Sequence, residues 1–135
     1  MTGIDIIGAL LLRSGPLIAV APAEQIKAGR LPENAALPAF LVRTVSVVDR
    51  VVLKQGSMRR SAARIRVTVR AGSYDDQLEG IRLARDACLD FIGNIAGAER
   101  VSVLPAGTGP DINGPASTFE QSQDFRVSFD APARN

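Results

Sequence analysis

The chain has 135 residues, a formal net charge of +2 and an apolar fraction of 46%, which is compatible with one domain that buries a real core. It contains no histidine and one cysteine, Cys88, so Ser-His and Cys-His catalysis, an intrachain disulfide and most zinc sites are excluded. Five Phe, one Tyr and no Trp favour a packed scaffold over an aromatic surface that stacks bases.

The N-terminal segment predicts a helix from Gly3 to Arg13. Thr2 and Asp5 have the spacing of a capping box, and Gly15-Pro16 is expected to end the helix. A second helical turn is predicted over Ala23 to Ala28. The apolar run that contains Asp5 has no preceding basic residue and is short for a membrane span, which favours an intracellular soluble chain over a secreted one.

Two adjacent β-strands are predicted next. The stretch from Phe40 to Leu53 is rich in β-branched residues, and its length indicates a bulge near Asp49-Arg50. Gln55-Gly56-Ser57 then predicts a turn. From Arg64 to Arg70 apolar residues alternate with polar ones, which indicates a strand with one buried face and an antiparallel hairpin with the preceding strand.

The strongest helix signal begins at Ser73, which with Asp76 forms a second capping-box pattern. Apolar residues then recur at steps of three and four from Tyr74 and Leu78 to Ile95, and this periodicity predicts one long helix over about residues 74–95 whose apolar stripe faces a sheet. Cys88 lies on that apolar stripe, which favours a small buried hydrophobe over a reactive thiol.

The C-terminal third predicts two further strands, Arg100 to Leu104 and Gln123 to Phe129. The segment between them, Pro105 to Gln123, is too rich in Gly, Pro, Asn and Ser to predict regular structure. Long loops of this kind are usually binding elements or disordered segments, so we interpret residues 105–123 as an interaction loop. The expected fold is a single α+β domain over residues 1–135, with a mostly antiparallel sheet of four or slightly more strands.

Charge is distributed unevenly along the chain. Residues 41–72 carry eight basic and one acidic residue, whereas residues 73–99 carry two basic and six acidic ones. The candidate interaction residues are therefore five arginines of the second strand and three acids of the following helix: Arg59, Arg60, Arg64, Arg66, Arg70, Asp75, Asp76 and Glu79.

The arginines allow two interpretations. A basic strand face could neutralise phosphates, but interleaved aromatics or Gly-rich arms, which modules of this kind usually add, are missing. Alternatively the arginines pair with carboxylates, on the acidic helix or on a neighbouring copy of the chain. The adjacent acidic segment favours this second interpretation.

The remaining patterns do not predict a catalytic or ligand-binding site. Gly107-x-Gly109 with Gly114 matches neither nucleotide-binding fingerprint, and acids in a first helical turn are what capping and the helix dipole select. We therefore expect no enzyme, no cofactor, no metal site and no small-molecule substrate.

The order of features resembles the tail-terminator (tail-completion) proteins of long-tailed phages and related gene-transfer or prophage particles. The resemblance runs from about Pro38 to Ala131 and depends on three segments, "LPAFLV", "RIRVTVRAGSYDDQLEGIRLARDAC" and "FRVSFDA". Its most specific element is the strand of alternating valines, followed by Gly72-Ser73 and a helix that begins at Tyr74.

That resemblance implies a structural virion subunit. Such subunits form a hexameric ring at the head-proximal end of the tail, stop polymerisation of the tube protein and offer a joining surface to the head connector. It implies as partners other copies of the chain, the tail tube protein and the connector or stopper protein, with DNA passing only transiently through the lumen. The chain would reside in the host cytoplasm during assembly. No membrane partner and no catalytic residue are implied.

Within the ring, the arginines are expected to face an adjacent subunit or the lumen, and the interaction loop a ring or tube neighbour. Its candidate contact residues are Thr108, Asp111, Asn113, Phe119 and Glu120. Two rival functions remain open at this point: another head-tail junction ring protein, such as a stopper, and a nucleic-acid binding module that uses the Arg59 to Arg70 strand.

Overall fold

A computed structural model describes residues 2–52 and 58–132 of the chain. The predicted turn at Gln55-Gly56-Ser57 lies outside these residues. The helices and strands in chain order are α1 (Gly3–Leu12), α2 (Gly15–Val20), β1 (Ile26–Ala28), β2 (Ala39–Val52), β3 (Met58–Ala71), α3 (Tyr74–Cys88), β4 (Ile92–Ile95), β5 (Ala98–Thr108), β6 (Ile112–Asn113) and β7 (Phe119–Pro132).

The described strands form one seven-stranded sheet in the order β1-β2-β3-β7-β5-β4, and β6 pairs with β7 outside this path. The α+β class is confirmed. The sheet has seven strands where four or slightly more were predicted, and it is mostly but not purely antiparallel, because β1 runs parallel to β2. The additional strands β1, β4 and β6 are short. The local pattern predicted a helical turn at β1, the end of the long helix at β4 and a loop at β6.

The N-terminal helix and its capping box are confirmed. The Asp5 amide donates to Thr2 Oγ1 at 3.3 Å and the Thr2 amide donates to Asp5 Oδ2 at 3.0 Å. Gly15-Pro16 follows the end of α1, but it also begins the second helix, α2. Ser14 caps α2, and a proline is tolerated in the first turn of a helix, where its missing N–H leaves no bond unmade.

The predicted hairpin is also confirmed. β2 and β3 pair antiparallel, with Val42 opposite Val67 and Phe40 opposite Val69. The ladder shifts register between Thr44 and Ser46 and again between Asp49 and Val52. The second shift lies at the bulge that the length of the strand predicts.

The long helix is shorter than predicted, because α3 ends at Cys88 and Ile92–Ile95 form β4. After the helix the Asp90 amide donates to the Val103 carbonyl, and the Val103 amide donates to the Phe91 carbonyl. These bonds join the chain to β5. The apolar residues that continue the helical period therefore continue as an edge strand instead.

The core lies between one side of the sheet and the helices. Ile65, Val67 and Val69 of β3 are fully buried. Cys88 of α3 is fully buried as well, which confirms the prediction that it is a small buried residue. Burial raises the pKa of the Cys88 thiol to about 12. The helices approach the sheet closely at glycines: a Cβ placed on Gly80 would lie 2.5 Å from Cγ1 of Val69.

Candidate interaction surface

The side of the sheet opposite α1 and α3, which we call the open face, carries four of the five predicted arginines. Alternation on β3 buries Ala63, Ile65, Val67 and Val69 toward the helices and places every second residue on the open face. The open-face residues of β3 include Arg60, Arg64, Arg66 and Arg70; the paired residues of β7 include Asp130, Arg126, Asp124 and Glu120.

Asp124 is the centre of the first ion-pair network on this face. Its carboxylate accepts from Arg64 Nε at 2.7 Å and from Arg66 Nε at 2.8 Å, and its own side chain is only 6% exposed. Arg64 also donates to the Ala106 carbonyl at 2.8 Å. The pair of arginines therefore covers a buried acid and ties β3 to β7 and β5.

Asp130 forms a second network of the same type. It accepts from Arg60 Nη1 at 3.1 Å and from Arg100 Nε at 2.6 Å. At the other end of the strand Arg70 Nε donates to Glu120 at 2.6 Å. The three open-face acids of β7 thus each have at least one arginine partner.

The pKa directions agree with this geometry. Burial raises the pKa of Asp124, but the hydrogen bonds from Arg66 and Arg64 outweigh it, so the pKa lies below the usual aspartate value. Asp130 shows the same balance: burial raises its pKa and the hydrogen bonds from Arg100 and Arg60 bring it below the usual value. Both acids are therefore held as carboxylates at neutral pH.

The predicted acids lie elsewhere. Asp75, Asp76 and Glu79 are exposed on α3, on the opposite side of the sheet from the arginines, and Glu79 pairs with Arg82 at 2.7 Å. The interpretation that the strand arginines pair with the acidic helix of the same chain is thus wrong. Their partners are acids of β7, which lies beside β3 although it is far away in sequence.

Arg59 does not belong to the open face either. It has the same parity as the buried residues Ser61 and Ala63, so it lies on the helix side of the sheet. Its Nε is buried and has no hydrogen-bond partner among the described residues. The run of five arginines therefore divides between the two sides of the strand.

Two arginines that sequence reasoning did not assign belong to the open face. Arg43 of β2 lies opposite Arg66, and Arg126 of β7 lies opposite Arg64. Both side chains are exposed and neither forms an ion pair with a described residue. The alternation of Asp124, Arg126 and Ser128 was visible in the sequence, but strand order was needed to bring Arg126 beside Arg64.

The segment 105–123 is more regular than predicted. Residues up to Thr108 belong to β5, residues from Phe119 belong to β7, and Asn113 lies in β6. Composition did not predict this order, because the backbone hydrogen bonds of the segment join residues that are not neighbours in sequence, such as that from the Gly109 amide to the Ser122 carbonyl at 2.8 Å.

Side chains attach this segment to α3 and to the sheet. Asp111 accepts from the Tyr74 hydroxyl at 3.0 Å and from Gln77 Nε2 at 2.8 Å. Phe119 meets the Tyr74 ring edge to face, with centroids 6.4 Å apart. Of the five predicted contact residues, Asp111 and Phe119 join α3, whereas Glu120 belongs to the open face.

Comparison with known proteins gives a likeness to a solved structure. Neither a family profile nor a curated protein sequence matches this chain. Among solved structures, a chain of the virion of a native gene transfer agent particle superposes with a TM-score of 0.66 at 9% identity, over 93% of this chain and 92% of that chain. The likeness is one of fold.

No group of three or more Cys, Asp or Glu residues is placed to hold a metal ion within 2–52 and 58–132. Over the same residues no helix is long and apolar enough to cross a membrane. The candidate functional surface is therefore the open face with its linked ion pairs.

Proposed function

We propose that this chain is a structural subunit of a virion or virion-like particle. The observation that carries the proposal is the superposition with a chain of a gene transfer agent particle, which extends over more than nine-tenths of both chains. Because the match extends over more than nine-tenths of both chains, the likeness of fold covers the whole domain and not a common substructure alone.

More specifically, we propose a tail-terminator role. The chain would form a ring at the head-proximal end of the tail, stop polymerisation of the tube protein and present the joining surface for the head connector. Support comes from the sequence segments that resemble this family, which fold here into β2, β3, α3 and β7. The proposed partners are other copies of the chain, the tube protein and the connector or stopper protein.

The surface chemistry supports an assembly role. The open face presents guanidinium groups that are fixed by buried carboxylates, with Arg64 and Arg66 about half exposed above Asp124. Such pre-ordered arginines lose little conformational freedom on binding and are favoured at protein interfaces. A ring subunit needs two complementary surfaces of this kind and no reaction chemistry.

The nucleic-acid function is less well supported than it was from sequence alone. Phosphate binding depends on arginines that are available to the backbone of the nucleic acid. Arg60, Arg64 and Arg70 instead donate to carboxylates and also to the main-chain carbonyls of Arg100, Ala106 and Pro32. Much of the hydrogen-bonding capacity that suggested phosphates is used within the chain.

Localisation on the particle tests the proposal. Particles that carry an epitope-tagged copy of the chain are labelled with gold and imaged by negative stain, with untagged particles as the control. We expect label at the head-proximal end of the tail. Label on the capsid side of the connector would favour a stopper, and label at the distal tail tip or on the capsid shell would contradict the terminator role.

A further inference from the structure

Arg43 and Arg126 are the described arginines of the open face that no counter-ion accounts for. Of the described acids of that face, Asp124 and Asp130 are each engaged by two arginines and Glu120 by Arg70. Glu99 of β5, opposite Asp130, is exposed and pairs with no described arginine, but the arginines of the face still outnumber its acids. The open face therefore carries positive charge that the fold itself does not neutralise.

Each of these two arginines lies beside an exposed valine. Arg43 and Val45 line one depression, of about 450 Å³, and Val45 is 45% exposed. Arg126 and Val48 line a second one, of about 150 Å³, and Val48 is 61% exposed. We call Arg43, Val45, Val48 and Arg126 the receptor patch.

The outward side of α3 has the matching character. Tyr74 and Leu78 are each 44% exposed, and they lie among Asp75, Glu79 and Asp86. Glu79 and Asp86 share one cation, Arg82, at 2.7 and 2.8 Å. We call five residues the acidic helix face: Tyr74, Asp75, Leu78, Glu79 and Asp86. Its three acids outnumber the one described cation, Arg82, that pairs with them.

We propose that the receptor patch of one copy binds the acidic helix face of a second copy. The choice of a second copy rests on the proposed ring function, and the pairing itself rests on complementarity. Both surfaces combine exposed apolar side chains with net charge, and the charges are opposite in sign. Interfaces use such complementarity to fix register and to exclude wrong partners.

The two surfaces lie on opposite sides of the sheet. A contact between them therefore joins unlike surfaces and leaves each partner with one free surface, which is the heterologous geometry that forms a ring when the rotation between copies closes. A two-fold dimer would instead bring the same surface of each copy together.

The spacing of the charges is also compatible. Arg43 and Arg126 are two strands and two residues apart, which places their Cα atoms about 12 Å from each other. Glu79 and Asp86 are seven residues apart on a helix, which is about 10 Å along the axis. One helix can therefore reach both arginines at once.

A phosphate backbone is the less suitable occupant of the receptor patch. Nucleic acid would satisfy Arg43 and Arg126 but would leave Val45 and Val48 against a charged, hydrated strand. Apolar side chains that flank each unpaired arginine favour a protein surface that offers apolar contact and carboxylates together.

Charge exchange tests the pairing. Two variants, R43E/R126E and E79K/D86K, each reverse one of the two surfaces at exposed residues. Apparent mass is measured by light scattering over a range of concentrations at about 0.05 M and about 0.5 M salt. Circular dichroism confirms that each variant is folded, and the neutral variant R43Q/R126Q replaces the reversal if it is not.

We expect wild-type mass to rise with concentration at low salt and to fall at high salt. Each variant alone should associate at least about tenfold more weakly, because like charges then oppose one another. An equimolar mixture of the two variants should regain association, since each supplies the surface that complements the other. The same rescue is expected when all four changes are placed in one chain.

The proposal is overturned if wild type stays monomeric under both conditions, or if the mixture and the four-change chain fail to regain association. Binding of short duplex DNA that R43E/R126E abolishes and E79K/D86K leaves intact would also overturn it in favour of nucleic acid. The outcome is separable from the tail assignment. Rescue with gold label away from the tail removes the tail role alone, whereas label at the tail without rescue removes the pairing alone.

Discussion

Asp124 shows at the scale of one residue how the open face is built. Its side chain is nearly inaccessible, yet it stays charged because two guanidinium groups donate to it. A buried carboxylate without such donors would be strongly destabilising. The arginines that first suggested a ligand therefore also hold two strands of the sheet together.

The variant Asp124→Asn tests this role. We expect the free energy of unfolding to fall by about 2 kcal/mol, because the charge-assisted hydrogen bonds from the two guanidinium groups weaken, and no more than that because Arg64 and Arg66 are half exposed. Urea unfolding followed by circular dichroism gives the value. Glu33→Gln, at an exposed loop position without an ion pair among the described residues, is the control and should change stability by less than about 0.5 kcal/mol.

The same carboxylates predict a pH dependence. The pKa values of Asp124 and Asp130 are lower in the folded chain than in the unfolded one, so protons bind more readily to the unfolded state. Their contribution is complete above the ordinary aspartate pKa of about 3.9 and is lost as the pH falls through the lower folded values. Unfolding curves between neutral pH and about pH 2 should show a shallower acid loss in Asp124→Asn than in wild type. Equal slopes would contradict the assignment.

Helix α3 shows at the scale of an element what a periodic pattern predicts and what it does not. The pattern placed the helix start and Cys88 correctly. It assigned Tyr74 and Leu78 to the buried stripe, but both are 44% exposed, and Gln77 and Gly80 are buried in their place. A glycine contributes no hydrophobic signal, so a helix that packs through one is rotated relative to its apolar stripe.

Gly80→Ala tests this packing. An added Cβ would lie 2.5 Å from Cγ1 of the short, buried Val69, so the helix or the strand must shift. We expect a steric cost of about 1–3 kcal/mol against a helix-propensity gain of about 1 kcal/mol from replacing glycine, so the free energy of unfolding should fall by up to about 2 kcal/mol. Gly8→Ala in α1, where nothing lies within 4 Å of the added Cβ, should be neutral or stabilising. Thermal unfolding of the two variants distinguishes packing from propensity, and equal effects would contradict the close approach.

Local elements were predictable where their signals are local. The capping box of Thr2 and Asp5, the alternation around Val67 and the bulge in β2 all depend on neighbouring residues. The end of α3, the strand β4 and the order in segment 105–123 were not predictable, because they depend on β5 and β7. The candidate site divides in the same way: parity places Arg64 and Arg66 on one face, but their partner Asp124 is known only once β7 is placed beside β3.

The whole molecule is a sheet with two unlike sides. Helices and an exposed acidic helix face occupy one side, and an arginine-rich face with a receptor patch occupies the other. Opposite and complementary surfaces are what a subunit needs if it is to bind its neighbours on both sides in a closed ring. The arginines of the basic segment lie mainly on one side of the sheet, and the acids of the following helix lie on the other.

Tail length measures the central claim most directly. Particles are assembled in cells that lack this chain, and tail lengths and head attachment are scored by electron microscopy, with complementation by the wild-type chain as control. A terminator role predicts tails of long and variable length without heads, and uniform joined tails on complementation. Tails of normal length that join heads in the absence of the chain would contradict it.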